Sequence, residues 1–387
     1  MNSFLHRVYD LVVSGCCCAV LMGQGCTLET PIKGAPCPCP EGYYCPVGTC
    51  WKDTDPVPST GPERYDDVRG RDLTPFVLGE EVIRTLWFNK WTLWNEQDIP
   101  AARKVLEQGK NPGLGIRALH DSGINGQGVN IAVISQHIGL EHPEYAGRIA
   151  AYYDTGCMEP PETSSMTAPA VVSLLVGKTV GMAPMARIYF AAVPTWKSDA
   201  DYYADGLLWI ISENGLLPDD EKIRVVSAPS ACDGFKKNQQ KWTEAVALAE
   251  SEGMSILDSC EERRFVVPSM TDWADPESVA NVTTAFTLCD GGGDDACLME
   301  LLLVPGSLRT AAEEYLMGEF GYQYFGHPNA VMAMCYAAGV MALGWQLRPE
   351  LTAEEMKQLL FDTSFNSGNG NVIYPTAFIE RILSDAD

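Results

Sequence analysis

The acidic loop CDGGGDDAC at residues 289–297 carries side chains that could bind a metal ion. Its carboxylates, Asp290, Asp294 and Asp295, offer the hard oxygen ligands that Ca²⁺ prefers. The two cysteines that close the loop are candidates for a disulfide in an oxidising compartment. A solvated acidic turn without an ion is the alternative. The sequence therefore predicts no cofactor other than an optional Ca²⁺ ion in this loop.

Side chains that could act as a base or a nucleophile are few. The chain has 5 histidines among its 387 residues. Among the 14 cysteines, Cys260 stands just after MSILD (254–258), an apolar run typical of a strand, and is a candidate nucleophile. No histidine lies beside Cys260 in sequence to activate its thiol. Catalysis at Cys260 would therefore need a base supplied by the fold.

Residues 1–25 are similar to a secretion signal or a lipoprotein anchor. Arg7 precedes the apolar run LVVSGCCCAVLMG, and VVSGC resembles a bacterial lipobox, which would attach a lipid to Cys16. Asp10 lies directly ahead of the apolar run and argues against both interpretations. We expect an extracellular or cell-surface protein that contacts a membrane only through this anchor. A cytoplasmic protein is the alternative.

Residues 26–60 form a segment rich in cysteine, proline and glycine. The run CPCPEGYYCPVGTC (37–50) lacks the paired CxxC spacing of a zinc ribbon. Its prolines and glycines disfavour regular structure, so it needs covalent cross-links to hold a shape. It resembles the cysteine-rich modules of extracellular proteins. Two disulfides are the favoured prediction, with a metal site or free thiols as alternatives.

The charge of the chain excludes one class of partner. The formal net charge is −24 and 46% of the residues are hydrophobic, which is the composition of an acidic globular protein. Such a charge repels phosphate backbones, so we expect no nucleic-acid partner.

The helices and strands that would position a functional site are predicted in two regions, residues 61–110 and 111–387. Residues 61–110 begin as a linker, and FVLGEEVIRTLWFNKWTLW (76–94) carries Ile83, Trp87, Trp91 and Trp94 at a spacing that predicts a Trp-rich helix. Residues 111–387 alternate between strand and helix patterns. Strands are predicted at 128–134, 186–193, 223–228 and 254–258; helices at 164–177, 199–213, 237–252, 332–347 and 353–361.

This alternation predicts an α/β fold with a mostly parallel, twisted sheet and helices on both faces. A ligand would bind beyond the carboxyl ends of the strands.

Four segments in order resemble the subtilisin-like serine proteases. They are GINGQGVNIAVISQHIGLEHPEY, ETSSMTAPAVVSLLVGKTVGMAPMARIYFAAV, VPGSLRT, and GHPNAVMAMCYAAGVMALGWQLRPELTAEEMKQLL. The first is similar to the strand that ends in the catalytic Asp, and the second to the helix that carries the catalytic His. The third is similar to the APG turn, and the fourth to the helix that opens with GTSMAxP around the catalytic Ser. The resemblance implies a subtilisin-like domain over 111–387.

The resemblance also implies that the catalytic triad is missing. Aligned with the family, the Asp, His and Ser positions fall on Ser135, Thr167 and Val331. A serine protease needs a nucleophilic hydroxyl, an imidazole base and a carboxylate that orients the imidazole. None of the three residues supplies its group.

Other parts of the implied substrate cleft have changed as well. The family's substrate-pairing strand, N-x-S-x-G, corresponds to 227–231, where Ser227 and Ser230 border the cleft and Pro229 removes a backbone donor. The segment that carries the oxyanion Asn corresponds to DSCEE (258–262), which has no Asn. The resemblance implies that the fold is kept and the chemistry lost.

Three functions follow as hypotheses. The first is a pseudoprotease that binds a peptide or protein partner, an active protease being one candidate. The second is an active endopeptidase that uses atypical residues. The third is a metal or small-ligand module in the former cleft, built on His137 and His327, which the resemblance places at its border; both could instead be solvent-facing loop residues.

Overall fold

The structure is a computed structural model that describes residues 43–44, 51–52, 60–157, 167–232, 234–284, 301–314, 318–368 and 370–385. Cys16, the cysteines of 37–50 and the carboxylates Asp290, Asp294 and Asp295 lie outside these residues. The chain divides into two compact units, Met1–Asp53 and Thr54–Asp387. In the first unit, β1 (Tyr43–Tyr44) pairs antiparallel with β2 (Trp51–Lys52).

The second unit holds all other strands of the described chain. They are β3 (Asp72–Leu73), β4 (Trp87–Asn89), β5 (Leu93–Trp94), β6 (Asn130–Ser135), β7 (Ile149–Asp154), β8 (Arg187–Ala192), β9 (Val225–Ala228), β10 (Ser255–Asp258), β11 (Val266–Met270), β12 (Thr283–Thr284), β13 (Leu302–Pro305), β14 (Arg309–Glu313), β15 (Gly321–Phe325), β16 (Phe365–Asn366) and β17 (Asn371–Val372).

The α-helices of the same unit follow in chain order. They are α1 (Glu80–Ile83), α2 (Ile99–Gln108), α3 (Ile116–Asp121), α4 (Ala168–Val176), α5 (Ala200–Leu216), α6 (Gln239–Ser251), α7 (Ala330–Leu347), α8 (Ala353–Asp362) and α9 (Pro375–Ser384).

The central sheet is parallel and buried on both faces. Its strand order is β10-β9-β6-β8-β7, and each neighbouring pair is parallel. Successive residues of β6 point to opposite faces: Ile131 and Val133 join one hydrophobic core, and Ala132 and Ile134 join the other. A strand with two buried faces must be apolar throughout, which explains the continuous apolar run seen in the sequence.

Helices cover both faces of this sheet. α4, α7, α8 and α9 contribute to the first core, and α5 and α6 to the second. The predicted α/β fold with a mostly parallel sheet and helices on both faces is confirmed. α8 begins at Thr352, whose hydroxyl accepts from the Glu355 N–H while the Glu355 carboxylate accepts from the Thr352 N–H.

α7 is long and apolar enough to span a membrane by length and composition alone, but residues 332–345 are all buried inside the protein. This helix therefore belongs to the first hydrophobic core. Its packing partner is α4, all of whose residues are buried.

The helix predicted over 76–94 is wrong. Only α1 is helical there, and Trp87 and Trp94 lie in β4 and β5. β4 joins β14 and β15 in an antiparallel sheet of order β14-β15-β4, with Trp87 opposite Phe325. Trp87 is half-buried, and its strand pairs with a hairpin distant in sequence, a contact that local spacing does not encode.

A second mixed sheet has the order β12-β11-β13-β17-β16, in which β11, β13 and β17 run parallel. The turn after β13 meets the start of α7, because the Asn329 N–H donates to the Gly306 carbonyl (2.8 Å). A side chain at Gly306 would lie 2.7 Å from the Asn329 carbonyl oxygen. The VPGSLRT segment therefore requires glycine at this close approach.

Candidate functional site

Ser135 occupies the carboxyl end of the central strand. It is the last residue of β6, lies opposite Ala192 of β8, and is 2% exposed. Its carbonyl accepts from the Val193 N–H (2.8 Å), which holds the strand end in place. A hydroxyl here carries no charge, so Ser135 cannot orient or stabilise an imidazolium as a carboxylate would.

Thr167 and Val331 lie at the starts of α4 and α7, the two helices that pack on each other in the first core. Thr167 is the N-cap residue of α4 and is half-buried. Val331 is the second residue of α7, after the N-cap Asn329, whose carboxamide oxygen accepts from the Val331 N–H (2.8 Å). Neither side chain offers a base or a nucleophile that is ionised near neutral pH.

His137 and His327 have different neighbours. His137 lies near the buried carboxyl of Glu314, and burial raises the pKa of Glu314. His327 packs against Trp87, with ring centroids 5.4 Å apart, and against Phe325. Burial lowers the pKa of His327, and Nδ1 of its ring has no hydrogen-bond partner among the described residues. Among the described residues, the two imidazoles do not share a cluster of three potential metal ligands.

The segment before α1 covers the His327 side of the hairpin. The Arg69 guanidinium lies 3.5 Å above the Trp87 ring and pairs with Asp67 (2.7 Å). These two charges shift the pKa of His327 in opposite directions. His327 is thus a half-buried residue packed against the Trp87 and Phe325 rings, near the Arg69–Asp67 pair.

Residues 227–231, which the resemblance likens to a substrate-pairing strand, are hydrogen-bonded to the segment that follows β10. Ser227 is fully buried in β9, and Ser230 is half-buried in the turn that follows. Ser259 Oγ donates to the Pro229 carbonyl (2.6 Å), and its N–H donates to the Ala231 carbonyl (3.2 Å). The segments that follow β9 and β10 are therefore joined to each other by hydrogen bonds.

A disulfide links the same two segments. Cys232, which follows β9, is bonded to Cys260, which follows β10. Cys260 is therefore not the free thiol that a nucleophile requires, and the prediction of a nucleophile at this position is wrong for this bonded form. The sequence could not reveal this pairing, because the cysteines are 28 positions apart and a whole helix, α6, lies between them.

Asp258 lies beside the disulfide and is fully satisfied. Its Oδ2 accepts from Trp242 Nε1 (3.1 Å) and pairs with Arg263, while Oδ1 accepts from the Cys260 N–H (3.1 Å). Cys232, Asp258 and Cys260 are the one group of described residues whose ligand atoms are close enough for a metal ion. With both sulfurs in a disulfide, no thiolate is available to bind one.

Cys157 and Cys335 are the free cysteines of the described residues. Burial raises the pKa of each thiol to about 12. A thiol with such a pKa is protonated at neutral pH and is a poor nucleophile. Cys335 lies within α7 and packs in the first core, as a small hydrophobe does.

Sequence reasoning missed the buried network around Glu144. Its carboxylate accepts from the Thr179 hydroxyl and N–H and from the Tyr322 hydroxyl (2.5 Å for each hydroxyl). Neighbouring His142 contacts the Gly321 carbonyl through Nε2 (3.2 Å) and stacks on Tyr145. These residues tie the hairpin of β14 and β15 to the central sheet, so His142 has a structural role.

A cavity of about 390 Å³ lies elsewhere, beside the ends of α2 and β11. Its lining includes Lys110, Arg117 and Trp273, and none of the site residues predicted from the sequence. The Arg117 guanidinium donates to the Lys110 and Thr179 carbonyls, so its charge is already engaged by backbone. The sequence carries no motif that marks this cavity.

Comparisons with known proteins connect this geometry to one fold. No protein-family model and no curated protein matches the sequence. Among solved structures, fervidolysin from Fervidobacterium pennivorans, a keratinolytic enzyme related to subtilisin, matches with a TM-score of 0.51 and 16% identity. The match covers 72% of this chain and 47% of that chain, so this protein spans about half the length of fervidolysin.

Two further proteases are similar in structure. The prenylagaramide maturation protease PagA matches with a TM-score of 0.48 and 16% identity, over 69% of this chain and 98% of that one. A protease from Pseudoalteromonas arctica matches with a TM-score of 0.47 and 15% identity, over 70% of this chain and 95% of that one. At these identities the likeness concerns the fold alone. The chain has a subtilisin-like α/β fold.

Proposed function

We propose that this protein is a subtilisin-fold pseudoprotease that binds a peptide or protein partner. The observation that carries the proposal is chemical. Ser135, Thr167 and Val331, at the ends of β6, α4 and α7, replace the carboxylate, imidazole and hydroxyl that the fold's chemistry needs. In subtilisin, loss of the whole triad lowers turnover on the order of 10⁶-fold.

A single replacement would not restore this chemistry. The sequence between His142 and His327 contains no histidine, so α4 has no base to offer. The described free thiols have raised pKa values. Cys260 is bonded to Cys232. These features favour binding over hydrolysis.

The edge that pairs with substrate in the family is also altered in a way that supports the proposal. The carbonyls of Pro229 and Ala231 already accept hydrogen bonds from Ser259. They are therefore not free acceptors for a substrate strand. We therefore expect a partner to be recognised by side chains and loops. An active protease is one candidate partner, and a location at the cell surface through the N-terminal segment belongs to the same proposal.

The first experiment tests for peptidase chemistry in the full chain. The full chain is needed because β4 and its neighbours before residue 110 belong to the same compact unit as the central sheet. The protein is treated with a fluorophosphonate probe and with a broad fluorogenic peptide library. We expect no labelling and no cleavage. Labelling or cleavage that survives repurification would overturn the proposal and identify the real nucleophile through the labelled peptide.

A matched variant carries Ser135→Asp, Thr167→His and Val331→Ser together. Labelling of this variant at position 331, beside a silent parent, supports the mapping of all three positions. The binding half of the proposal is tested by selecting a peptide-display library on the immobilised parent chain. We expect enriched sequences that are recovered intact; an absence of enrichment from both linear and structured libraries contradicts it.

The metal content of the protein tests the third hypothesis, a metal or small-ligand module in the former cleft. The purified chain is assayed for bound transition metals and Ca²⁺ before and after dialysis against a chelator. We expect no stoichiometric transition metal, because His137 and His327 do not share a cluster of three potential ligands. A stoichiometric metal that is lost with His137→Ala or His327→Ala would favour the ligand-binding module instead.

A further inference from the structure

The two cysteines of the Cys232–Cys260 disulfide differ in their exposure to solvent. The cysteines follow β9 and β10, neighbouring parallel strands in which Ala228 lies opposite Asp258. Cys260 is 7% exposed, whereas Cys232 is half-buried and lies nearer to solvent. A thiol arriving from solution therefore meets the Cys232 sulfur first.

A cation lies beside the more accessible sulfur. Arg263 Nη2 is 4.0 Å from Cys232 Sγ and also pairs with the buried carboxylate of Asp258. Arg263 Nε is buried and has no hydrogen-bond partner among the described residues. A thiolate at Cys232 would lie close to the positive charge, which favours the ionised sulfur.

The negative charge nearest to this site is already compensated. Asp258 accepts hydrogen bonds from Trp242 Nε1 and the Cys260 N–H in addition to its ion pair with Arg263. Glu261, on the 3₁₀ turn that follows, has its carboxylate 3.8 Å from the Arg264 guanidinium. A thiolate at Cys232 would therefore lie beside an ion pair whose positive end, Arg263 Nη2, is 4.0 Å from its sulfur.

The backbone at Cys232 has an unusual conformation. Its φ angle is 73°, in the left-handed region that residues with a Cβ rarely adopt. The Ser259 hydrogen bonds to Pro229 and Ala231 would still join the two segments after reduction.

We propose that Cys232 and Cys260 form a thiol–disulfide exchange site for low-molecular-weight thiols of the glutathione type, with Cys232 as the sulfur that exchanges. A thiolate RS⁻ attacks Cys232 Sγ, the Cys232–Cys260 bond breaks, and Cys260 leaves as a thiolate that takes a proton from water. A second RS⁻ attacks the RS sulfur of the mixed disulfide. RSSR departs, and Cys232 is left as a thiolate beside Arg263.

The test follows each cysteine of the full chain separately. The protein is equilibrated in buffers of varied reduced-to-oxidised glutathione ratio, free thiols are blocked with iodoacetamide, and the peptides are quantified by mass spectrometry. We expect Cys232 and Cys260 to become alkylated together as the ratio rises, and the glutathione adduct to form on Cys232 at least about tenfold more than on Cys260. A pair that stays oxidised in excess reduced glutathione, or an adduct mainly on Cys260, overturns the proposal.

The role of Arg263 is tested in a Cys260→Ser background. In this background no second thiol can displace glutathione from the adduct on Cys232. Arg263→Gln is expected to slow the reaction of Cys232 with oxidised glutathione about three- to tenfold at neutral pH. Arg263→Lys keeps the charge and should restore most of the rate. Arg264→Gln removes a neighbouring charge that pairs with Glu261 and should leave the rate unchanged.

Circular dichroism of each variant identifies those that fail to fold. The rates of the folded Arg263→Lys and Arg264→Gln variants then decide the outcome. Equal slowing by Arg263→Gln and Arg264→Gln contradicts a specific role for Arg263. A rate for Arg263→Lys as low as that of a folded Arg263→Gln contradicts it as well.

Discussion

The bodies of α4 and α7 and the starts of the same helices are under different constraints. Every residue of α4 is buried, as are residues 332–345 of α7. Thr167 and Val331, where the helices begin, are only half-buried. A buried side chain is selected by volume and close packing, whereas a residue at the helix start has room for many side chains. The difference teaches that the fold depends on the helix bodies and can persist when the residues at their starts change.

Ser135 is the exception among the three positions that the proposed function assigns to a lost triad, because it is buried at the end of β6. The comparison is sharpened by Ser135→Asp, which puts a carboxylate in a buried site without a partner. We expect a loss of about 3 kcal/mol in the free energy of unfolding, measured by urea denaturation at pH 7. Ser135→Asn controls for size and should lose less.

Addition of Thr167→His to Ser135→Asp tests whether the two positions are adjacent as the resemblance implies. The imidazole should recover at least about 1 kcal/mol of the loss, measured as a coupling in a double-mutant cycle. Additive effects of the two substitutions would contradict the assignment of Thr167 to the histidine position.

The helix body is tested by Gly339→Ala in α7. A Cβ at Gly339 would overlap the Met182 Cβ, a contact that requires the helix or the neighbouring turn to move. We expect a loss of about 2 kcal/mol in the free energy of unfolding. Gly215→Ala in α5 is the matched control, because nothing lies within 4 Å of the added carbon. Equal effects of the two substitutions would refute the packing argument.

The smallest expected effect concerns the pH dependence of stability. Burial lowers the pKa of His327 below its ordinary value of 6.5. At a pH between the pKa of the folded chain and that of the unfolded chain, the unfolded chain therefore binds a proton that the folded chain does not. This histidine's contribution to stability is therefore present above about pH 6.5 and is lost as the pH falls.

His327→Phe keeps an aromatic ring against Trp87 and removes the titration. The dependence of the unfolding free energy on pH, measured between pH 5 and 7.5, should become shallower by up to about 1.4 kcal/mol per pH unit. Parallel pH profiles for the parent and the variant would contradict a lowered pKa for His327.

Much of the fold could be predicted because its signals are local. The strand expected at 186–193 is β8 (Arg187–Ala192), and the helix expected at 237–252 is α6 (Gln239–Ser251). The helix expected at 353–361 is α8 (Ala353–Asp362). The Trp87 region was misassigned because its strands are stabilised by pairing with β15, more than 200 residues away in the chain.

Some features of the candidate site could likewise be predicted from the sequence, and others depend on the tertiary structure. The absence of a histidine between His142 and His327, and the identities of Ser135, Thr167 and Val331, are properties of the sequence alone. The Cys232–Cys260 bond, the position of Arg263 beside it and the packing of Trp87 against His327 are properties of the tertiary structure. Residue types decide which chemistry is available, because a side chain either has a titratable group or lacks one. Folding decides which groups meet, because contacts between distant segments depend on the packing of the whole chain.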